Sequence, residues 1–174
     1  MELKGYGVTL RRLTIDKIEL VRNWRNDPKI SRHMFFKEYI TPEMQLKWFN
    51  KINNDSNYYF IIEYNNEEIG LINTKDIDMV KKCGEVGHFI YEEKYWGTEI
   101  PFRASLCHDE FVFDELKLEY TYGQVAADNV RSIKYNKALG AIMKTSEDGK
   151  SVLLTFTRDN HYKIRNKYAR LLAR

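Results

Sequence analysis

Gly87-His88-Phe89-Ile90-Tyr91-Glu92-Glu93-Lys94-Tyr95-Trp96-Gly97, followed at once by Thr98-Glu99-Ile100-Pro101, is the stretch on which the fold turns. Gly84 to Tyr91 reads as a strand. From Pro101 to about Leu116 the pattern is helical, with Phe102, Leu106, Phe111 and Phe113 among its apolar positions. Pro101 suits a first helical position, where no amide donor is needed. Leu118 to Ala126 then reads as another strand. A helix between two strands permits a parallel pair, because parallel strands need a crossover connection.

Working outward, Val8 to Leu13 alternates and predicts a first strand. Asp16 to Asn26 follows as a helix with Ile18, Val21 and Trp24 inward, stopped by Asn26-Asp27-Pro28. Ser31 to Ile40 is a loop or short helical turn. Thr41-Pro42-Glu43 starts a second helix: Thr as cap, Pro in the first position, an acid in the first turn. Met44, Trp48, Phe49 and Ile52 mark its buried face, and Asn53-Asn54-Asp55 ends it. Tyr58 to Tyr64 and Glu68 to Ile77 form a hairpin across Asn65-Asn66. Beyond the central unit come a helix from Asp128 to Leu139 closed by Gly140, then strands at Ile142–Thr145 and Val152–Thr157. A basic helix from Asp159 to Arg174 turns Tyr162, Tyr168 and Leu172 toward the protein. The order predicts an α/β protein of the α+β sandwich type: a mixed, mostly antiparallel sheet with one parallel pair between the fourth and fifth predicted strands, flanked by helices.

No Gly/Ser/Pro linker or internal repeat divides the 174 residues, so one domain spanning 1–174 is expected. The net charge of +3 is spread along the chain with no basic block, which argues against a nucleic-acid partner and is compatible with a phosphorylated ligand. The first six residues lack a signal-peptide core and no apolar run approaches membrane-spanning length, so a cytoplasmic protein without a membrane partner is expected. Cys83 and Cys107 read as reduced thiols, with Cys107 on a helix face; no metal constellation is visible. The serines lack a Gly-x-Ser-x-Gly elbow and there is no Walker loop, which argues against a serine hydrolase and against nucleotide hydrolysis.

The order of elements, taken with two segments, resembles the GNAT superfamily of acetyl-CoA-dependent N-acetyltransferases over essentially the whole chain. The first segment is Gly87 to Gly97, similar to the strand end and phosphate loop of the branch that acetylates ribosomal-protein N-termini. The second is Asn129-Val130-Arg131-Ser132-Ile133-Lys134-Tyr135-Asn136-Lys137-Ala138-Leu139-Gly140, similar to the family helix in which an Asn and a small residue one turn later contact the pantetheine arm. The resemblance implies acetyl-CoA as co-substrate and no metal. It implies cofactor contacts at Phe89, Ile90, Tyr91, Gly97, Thr98, Ile100, Phe102, Asn129 and Ser132. Free amides at a helix start, with the helix dipole, would hold the pyrophosphate. Read alone, Asn129 is also a simple helix-start residue.

The chain departs from the family pattern at particular positions. Glu99 and Pro101 stand where the phosphate loop carries small residues; Pro101 removes an amide and Glu99 adds a negative charge. Ala141 stands where an aromatic often follows the Gly. Asn136 holds the place of the Tyr that, in many members, protonates the leaving thiolate, and Tyr135 is one position earlier, about a 100° turn away. Tyr135 is the candidate acid, with a half-buried core aromatic as the other reading.

The N-terminal third, including Leu10-Arg11-Arg12-Leu13, Val21 to Asp27, Met34 and Lys47-Trp48-Phe49, resembles the GNAT branch that acetylates a 4-amino sugar on UDP, as in the pseudaminic acid pathway. That implies Arg25, Asn26, Met34 and Phe35 near the acceptor, with His88; Trp48 reads better as core. Direct transfer to an amine also needs a polarised thioester carbonyl and a proton route. A backbone N–H around Ile90 and Tyr91 fits the first need. For the base, Glu85 and His88 are the candidates and Glu85 is preferred; they face opposite sides of one strand, which argues against a shared site. The leading expectation is acetyl transfer to a nucleotide-linked amino sugar or similar small amine, with a homodimer by analogy. The alternatives are a protein N-terminal acetyltransferase and a GNAT-shaped binding module without turnover.

Overall fold

The structure, a computed structural model, describes residues 1–172 and side chains through Tyr168; the expected inward turn of Leu172 and the helix end at Arg174 lie outside the described residues. Its strands are β1 (Glu2–Gly5), β2 (Val8–Arg12), β3 (Tyr58–Tyr64), β4 (Glu67–Asp78), β5 (Cys83–Ile90), β6 (Tyr120–Ala126), β7 (Ile142–Thr145) and β8 (Ser151–Thr157). They make one sheet in the order β1-β2-β3-β4-β5-β6-β8-β7. Every neighbouring pair is antiparallel except β5 and β6, the pair expected to be parallel.

β1 has no counterpart in the expected elements. Its signal is short: four alternating residues and a two-residue turn, Tyr6-Gly7, both at positive φ (55° and 76°). Gly5 pairs with Val8, so this is a tight hairpin of the kind that two left-handed residues favour. The Asn65-Asn66 turn is built the same way, at φ 51° and 61°.

The helices are α1 (Ile18–Asn26), α2 (Pro28–Ser31), α3 (Pro42–Ile52), α4 (Ile100–Glu110), α5 (Val130–Ala138) and α6 (Arg158–Leu172). Asp27 both ends α1 and caps α2, its carboxylate accepting from the Lys29 amide. Thr41 caps α3 as expected. The buried face of α3 is Gln45, Phe49 and Ile52 rather than the Met44 stripe: Gln45 donates to the Ile18 carbonyl at 2.8 Å, while Met44 is exposed. A buried polar side chain that finds a backbone partner fits the core as well as an apolar one, and this is invisible to hydrophobic periodicity. α4 is the central helix, continuing into a π-helical turn over Phe111–Glu115.

Each face of the sheet carries its own core, and alternation along the strands divides residues between them. Phe60, Ile62, Ile90 and Leu154 pack with α4 and its extension. Tyr59, Ile61 and Leu71 pack with α1 and α3, where Trp24 stacks on Tyr91 and meets Phe89 edge-on.

Candidate active site

The site begins where the parallel pairing stops. β5 and β6 are matched only from Cys83–Glu85 to Tyr120–Tyr122. Beyond that they part. At Gly123 an added Cβ would come within 2.9 Å of the Val86 carbonyl oxygen, so glycine keeps the fork of the splay narrow. The Tyr91 amide donates to the Ile69 carbonyl at 2.7 Å, across to β4. By the alternation of an antiparallel ladder, the backbone groups of Val86, His88 and Ile90 therefore point the other way, into the splay. Trp96 Nε1 donates to the Ile90 carbonyl at 2.9 Å from that side. Of the two amides expected to polarise a carbonyl, Tyr91's is engaged, and Ile90's faces the opening.

A cavity of about 510 Å³ runs through this opening from one face of the sheet to the other. Glu85 and His88 do face opposite sides of β5, yet both line it, because the sheet is open there. On the α1 side the wall carries Arg25, Lys29, His33, Met34, Phe35, Trp48, Tyr59, Lys75 and Glu85. Glu85 is paired with Lys75 at 3.0 Å. Trp48, read from sequence as core, is half-buried, meets Tyr59 edge-on and lines the cavity. Arg25, at the end of α1, lines it too, and burial lowers its guanidinium from its ordinary value. Asn26 does not reach the cavity: its amide donates to the Ile40 carbonyl (2.9 Å) and accepts from the Ile40 amide (2.8 Å). Its place near an acceptor is corrected to that of a clamp on the 32–41 segment.

On the other face lie His88, Ser105, His108, Asp109, Asn129, Ser132 and Tyr135. The Tyr135 ring sits 4.9 Å from that of His88, and its hydroxyl donates to the Pro101 carbonyl (2.9 Å) and meets Ser105 Oγ at 2.7 Å. Burial raises the Tyr135 phenol above its ordinary value, so it carries a proton at neutral pH. Burial, with His108 nearby, pushes the His88 imidazole down to about 4, which keeps it neutral. Asp109 lies between His161 (3.7 Å) and His108 (3.9 Å). Burial works to raise its carboxyl, but the two histidines outweigh it and hold it below the usual carboxylate range. His108 in turn meets Thr74 Oγ1 at 3.1 Å. Asn129 caps α5, accepting from the Ser132 amide at 3.1 Å, and it also lines the cavity. Asn136 is turned inward onto Ser132, donating to its carbonyl and to Oγ.

A second cavity, about 950 Å³, adjoins the first between the start of α4 and α5. Gly97, Thr98, Phe102 and Tyr135 line it, with Arg103, Arg131 and Lys134 as its cations and Glu99 as its acid. Gly97 sits at φ 79°, the left-handed conformation glycine allows. The Thr98 amide goes to Tyr95 and the Ile100 amide to Thr98 Oγ1. The amides of Gly97, Glu99 and Phe102 have no hydrogen bond among the described residues. Ile100 itself is core, so its expected cofactor contact is corrected: both its side chain and its amide are engaged within the protein. Three open amides and three cations beside one acid give this cavity a positive lining despite Glu99 and Pro101, with Arg103 also donating to the Tyr6 carbonyl at 3.0 Å. Tyr168 of α6 meets Phe102 edge-on at its rim.

Ser105, Asp109 and His161 were not singled out in sequence. They come together only when α4 and α6 pack, and no local spacing announces them. No helix among the described residues is long and apolar enough to cross a membrane.

The profile of the acetyltransferase (GNAT) domain matches residues 8–142. A relative, the acetyltransferase PseH of Campylobacter jejuni, is 29% identical over 123 residues, covering 70% of this chain and 74% of its own length. Apo FdhC, described as a nucleotide-linked sugar GNAT, superposes with a TM-score of 0.81 at 22% identity, covering 99% of this chain and 98% of that one. Spermidine N-acetyltransferase from Vibrio cholerae, in complex with CoA and spermine, gives 0.80 at 18% identity over 90% and 98% of the two chains. RimL, a ribosomal alpha-N-protein acetyltransferase in complex with CoA, gives 0.78 at 13% identity over 92% and 99%. These three likenesses speak to the fold.

Proposed function

The chain belongs to the acetyltransferase (GNAT) family, and from that premise we propose that it transfers acetyl from acetyl-CoA to the primary amine of a nucleotide-linked amino sugar. It is an N-acetyltransferase; the co-substrate and the acceptor are the proposal. The observation that carries it is the cavity through the β5–β6 splay, which adjoins a second, cation-lined cavity at α4 and α5 and reaches a basic, aromatic end at α1. The likeness to PseH and to a nucleotide-linked sugar GNAT supports the choice of acceptor.

In this reading Arg103, Arg131, Lys134 and the open amides at the start of α4 hold the pyrophosphate of coenzyme A. The splay guides the thioester to β5. The Ile90 N–H donates to the thioester carbonyl oxygen and stabilises the charge that grows on it. Glu85, on the acceptor side, takes a proton from the incoming amine, with Lys75 holding the carboxylate in place. As the C–N bond forms and the C–S bond breaks, Tyr135 gives its proton to the sulfur. The neutral His88 ring fills the wall between these two groups and adds no charge to the path.

The 32–41 segment, pinned by Asn26, makes the acceptor end a pocket bounded by Met34 and Phe35. A small molecule suits it better than a peptide chain needing an open groove. The test is a thiol-release assay with acetyl-CoA and three amines: a UDP-linked 4-amino sugar, an N-terminal ribosomal-protein peptide and spermidine. Turnover with the sugar at a kcat/KM well above the other two is the expected result. Turnover confined to the peptide would replace the acceptor, and no turnover with any would replace the enzyme by a binding module.

A further inference from the structure

Across the sheet from the acceptor end lies a titratable cluster that the acetyl-transfer scheme does not use. Asp109 of α4 lines the cavity and keeps 17% of its side-chain surface open. His161 of α6 brings Nδ1 to 3.7 Å from one carboxylate oxygen, and His108 brings Nδ1 to 3.9 Å from the other. Neither pair is within hydrogen-bond distance. Both ring nitrogens of His161 are buried without a hydrogen-bond partner among the described residues, in a ring set between those of Phe113 and Tyr162. His108 has its other nitrogen 3.1 Å from Thr74 Oγ1. A bridge serving only to fasten α6 to α4 gains most when its groups close on each other. Here the carboxylate stays open on its cavity side.

One turn earlier on the same face of α4 stands Ser105, its Oγ 2.7 Å from the Tyr135 hydroxyl. The phenol has one hydrogen and gives it to the Pro101 carbonyl at 2.9 Å. The hydrogen between Tyr135 and Ser105 is therefore the serine's, and it already points at the phenol oxygen. Ser105, His108 and Asp109 line one cavity, so water can stand between serine and carboxylate. A carboxylate withdrawn from bulk water beside two imidazoles is neutralised when one of them takes up a proton. We propose that Asp109 and its imidazole partners store one proton and return it to Tyr135 through Ser105 after each acetyl transfer. This rests on the reading of Tyr135 as the acid and adds the route by which that acid is reset. When the Tyr135 O–H bond breaks, the proton goes to the thioester sulfur and a phenolate is left. The Ser105 hydrogen crosses to the phenolate, the serine oxygen takes a hydrogen from the bridging water, and the water takes the proton held between imidazole and carboxylate. Asp109 is then an anion beside neutral rings, and solvent refills the store once the product thiol has left. Burial keeps the Tyr135 phenol protonated, and the Asp109 charge acts in the same sense; that charge also reaches His88. The titratable groups around the store are thus His108 of α4, His161 of α6, Tyr135 of α5 and His88 of β5.

Single-turnover and steady-state assays, with acetyl-CoA and whichever of the three amines wild type uses best, separate transfer from reset. Asp109→Asn should slow a single turnover, enzyme in excess, by less than about twofold and lower kcat by about tenfold or more. Ser105→Ala, which leaves the ion pair untouched, should show the same split and decides the matter if Asp109→Asn does not fold. Imidazole added at constant pH should restore the kcat of Asp109→Asn in proportion to its concentration. It should do nothing for Tyr135→Phe, where the acid itself is gone. A merely structural Asp109 gives no such rescue. In ligand-free protein, nitrogen NMR spectra of the four histidines should show ring nitrogens of His108 or His161 moving toward the neutral form in Asp109→Asn. Equal losses in both rates overturn the inference, since Asp109 would then act on the transfer or on the fold. So do an unchanged kcat, a kcat indifferent to imidazole, or ring nitrogens that ignore the substitution. The two readings fail separately: no turnover with any amine sinks the acetyltransferase reading and the relay with it, whereas turnover without rescue sinks the relay alone.

Discussion

The two ends of the cavity are built on opposite plans. At the α4–α5 end, polar side chains are already satisfied by the protein: Tyr135 by Ser105 and Pro101, Asn129 by the Ser132 amide, Asn136 by Ser132, Trp96 by the Ile90 carbonyl. At the α1 end, Arg25 has no hydrogen-bond or ion-pair partner among the described residues and Lys29 rests on an aromatic ring. Fixed geometry suits a reaction step shared across a family, where small displacements cost rate. Uncompensated charge suits recognition of one partner, because the missing counter-charge arrives with it. The proton donor Tyr135 and the unpaired Arg25 thus lie on opposite faces of the sheet, with Glu85 on the acceptor side, and substitutions at Tyr135 and Arg25 should affect different observables.

The largest expected effect is at the preorganised end. Tyr135→Phe keeps the ring against His88 and removes the proton donor, so kcat should fall by about 10²-fold or more while coenzyme A affinity stays near wild type. A small loss would move the acid elsewhere and break the contrast. The next concerns His88, held neutral at about 4 against an ordinary value near 6.5. The unfolded chain takes a proton at this residue as pH falls below about 6.5, and the folded protein does so only near 4, so stability is fully present above 6.5 and is lost as pH falls through that window. Denaturant titrations of His88→Leu should show a loss between pH 6.5 and 4 smaller than wild type's by roughly 3 kcal/mol. Equal losses would mean the ring is not held neutral.

Asn26→Ala breaks both hydrogen bonds to Ile40 and should cost about 1–2 kcal/mol of stability. It should also raise KM for the acceptor with little change in KM for acetyl-CoA, since the 32–41 segment borders only one end; a change in the second alone would contradict the division. Lys134→Glu, in the second cavity, should weaken coenzyme A about tenfold in fluorescence or calorimetric titration without changing UDP binding. Glu99→Ala is the smallest and runs the other way: removing a mostly exposed acid from the phosphate site should tighten coenzyme A by about two- to fivefold. A weakening would show that Glu99 supports the site through Arg103, 3.8 Å away.

The parallel pair was legible because the strand, loop and helix from Gly84 to Leu116 allow few arrangements, and tight turns such as Asn65-Asn66 set the hairpins. β1 escaped because four residues are too few for periodicity, and its turn was the only signal. The face of α3 was misread because Gln45 is buried through a hydrogen bond to Ile18 rather than through apolar contact. In the site, residues whose place follows from position along one element do line the cavity: Gly97 in its loop, Asn129 and Ser132 on their helix, Arg25 at the end of α1. What escaped depends on long-range packing or on hydrogen bonds already made. Tyr91, Ile100 and Asn26 bear the expected chemistry but their groups are engaged within the protein. The opposition of Glu85 and His88 was correctly read, but the gap in the sheet that lets one cavity reach both is a property of two strands whose matched residues lie 37 positions apart (122 − 85), Glu85 and Tyr122 being the last pair before the splay.

The central claim is that the altered loop at Gly97–Pro101 still holds coenzyme A, because Arg103, Arg131, Lys134 and three open amides outweigh Glu99. Calorimetric titration of the whole protein with acetyl-CoA, with desulfo-CoA as comparison, tests it most directly. Saturable binding of both ligands in the micromolar range, one per chain, is the predicted result. No heat at millimolar acetyl-CoA would contradict the account and leave a GNAT scaffold put to another use.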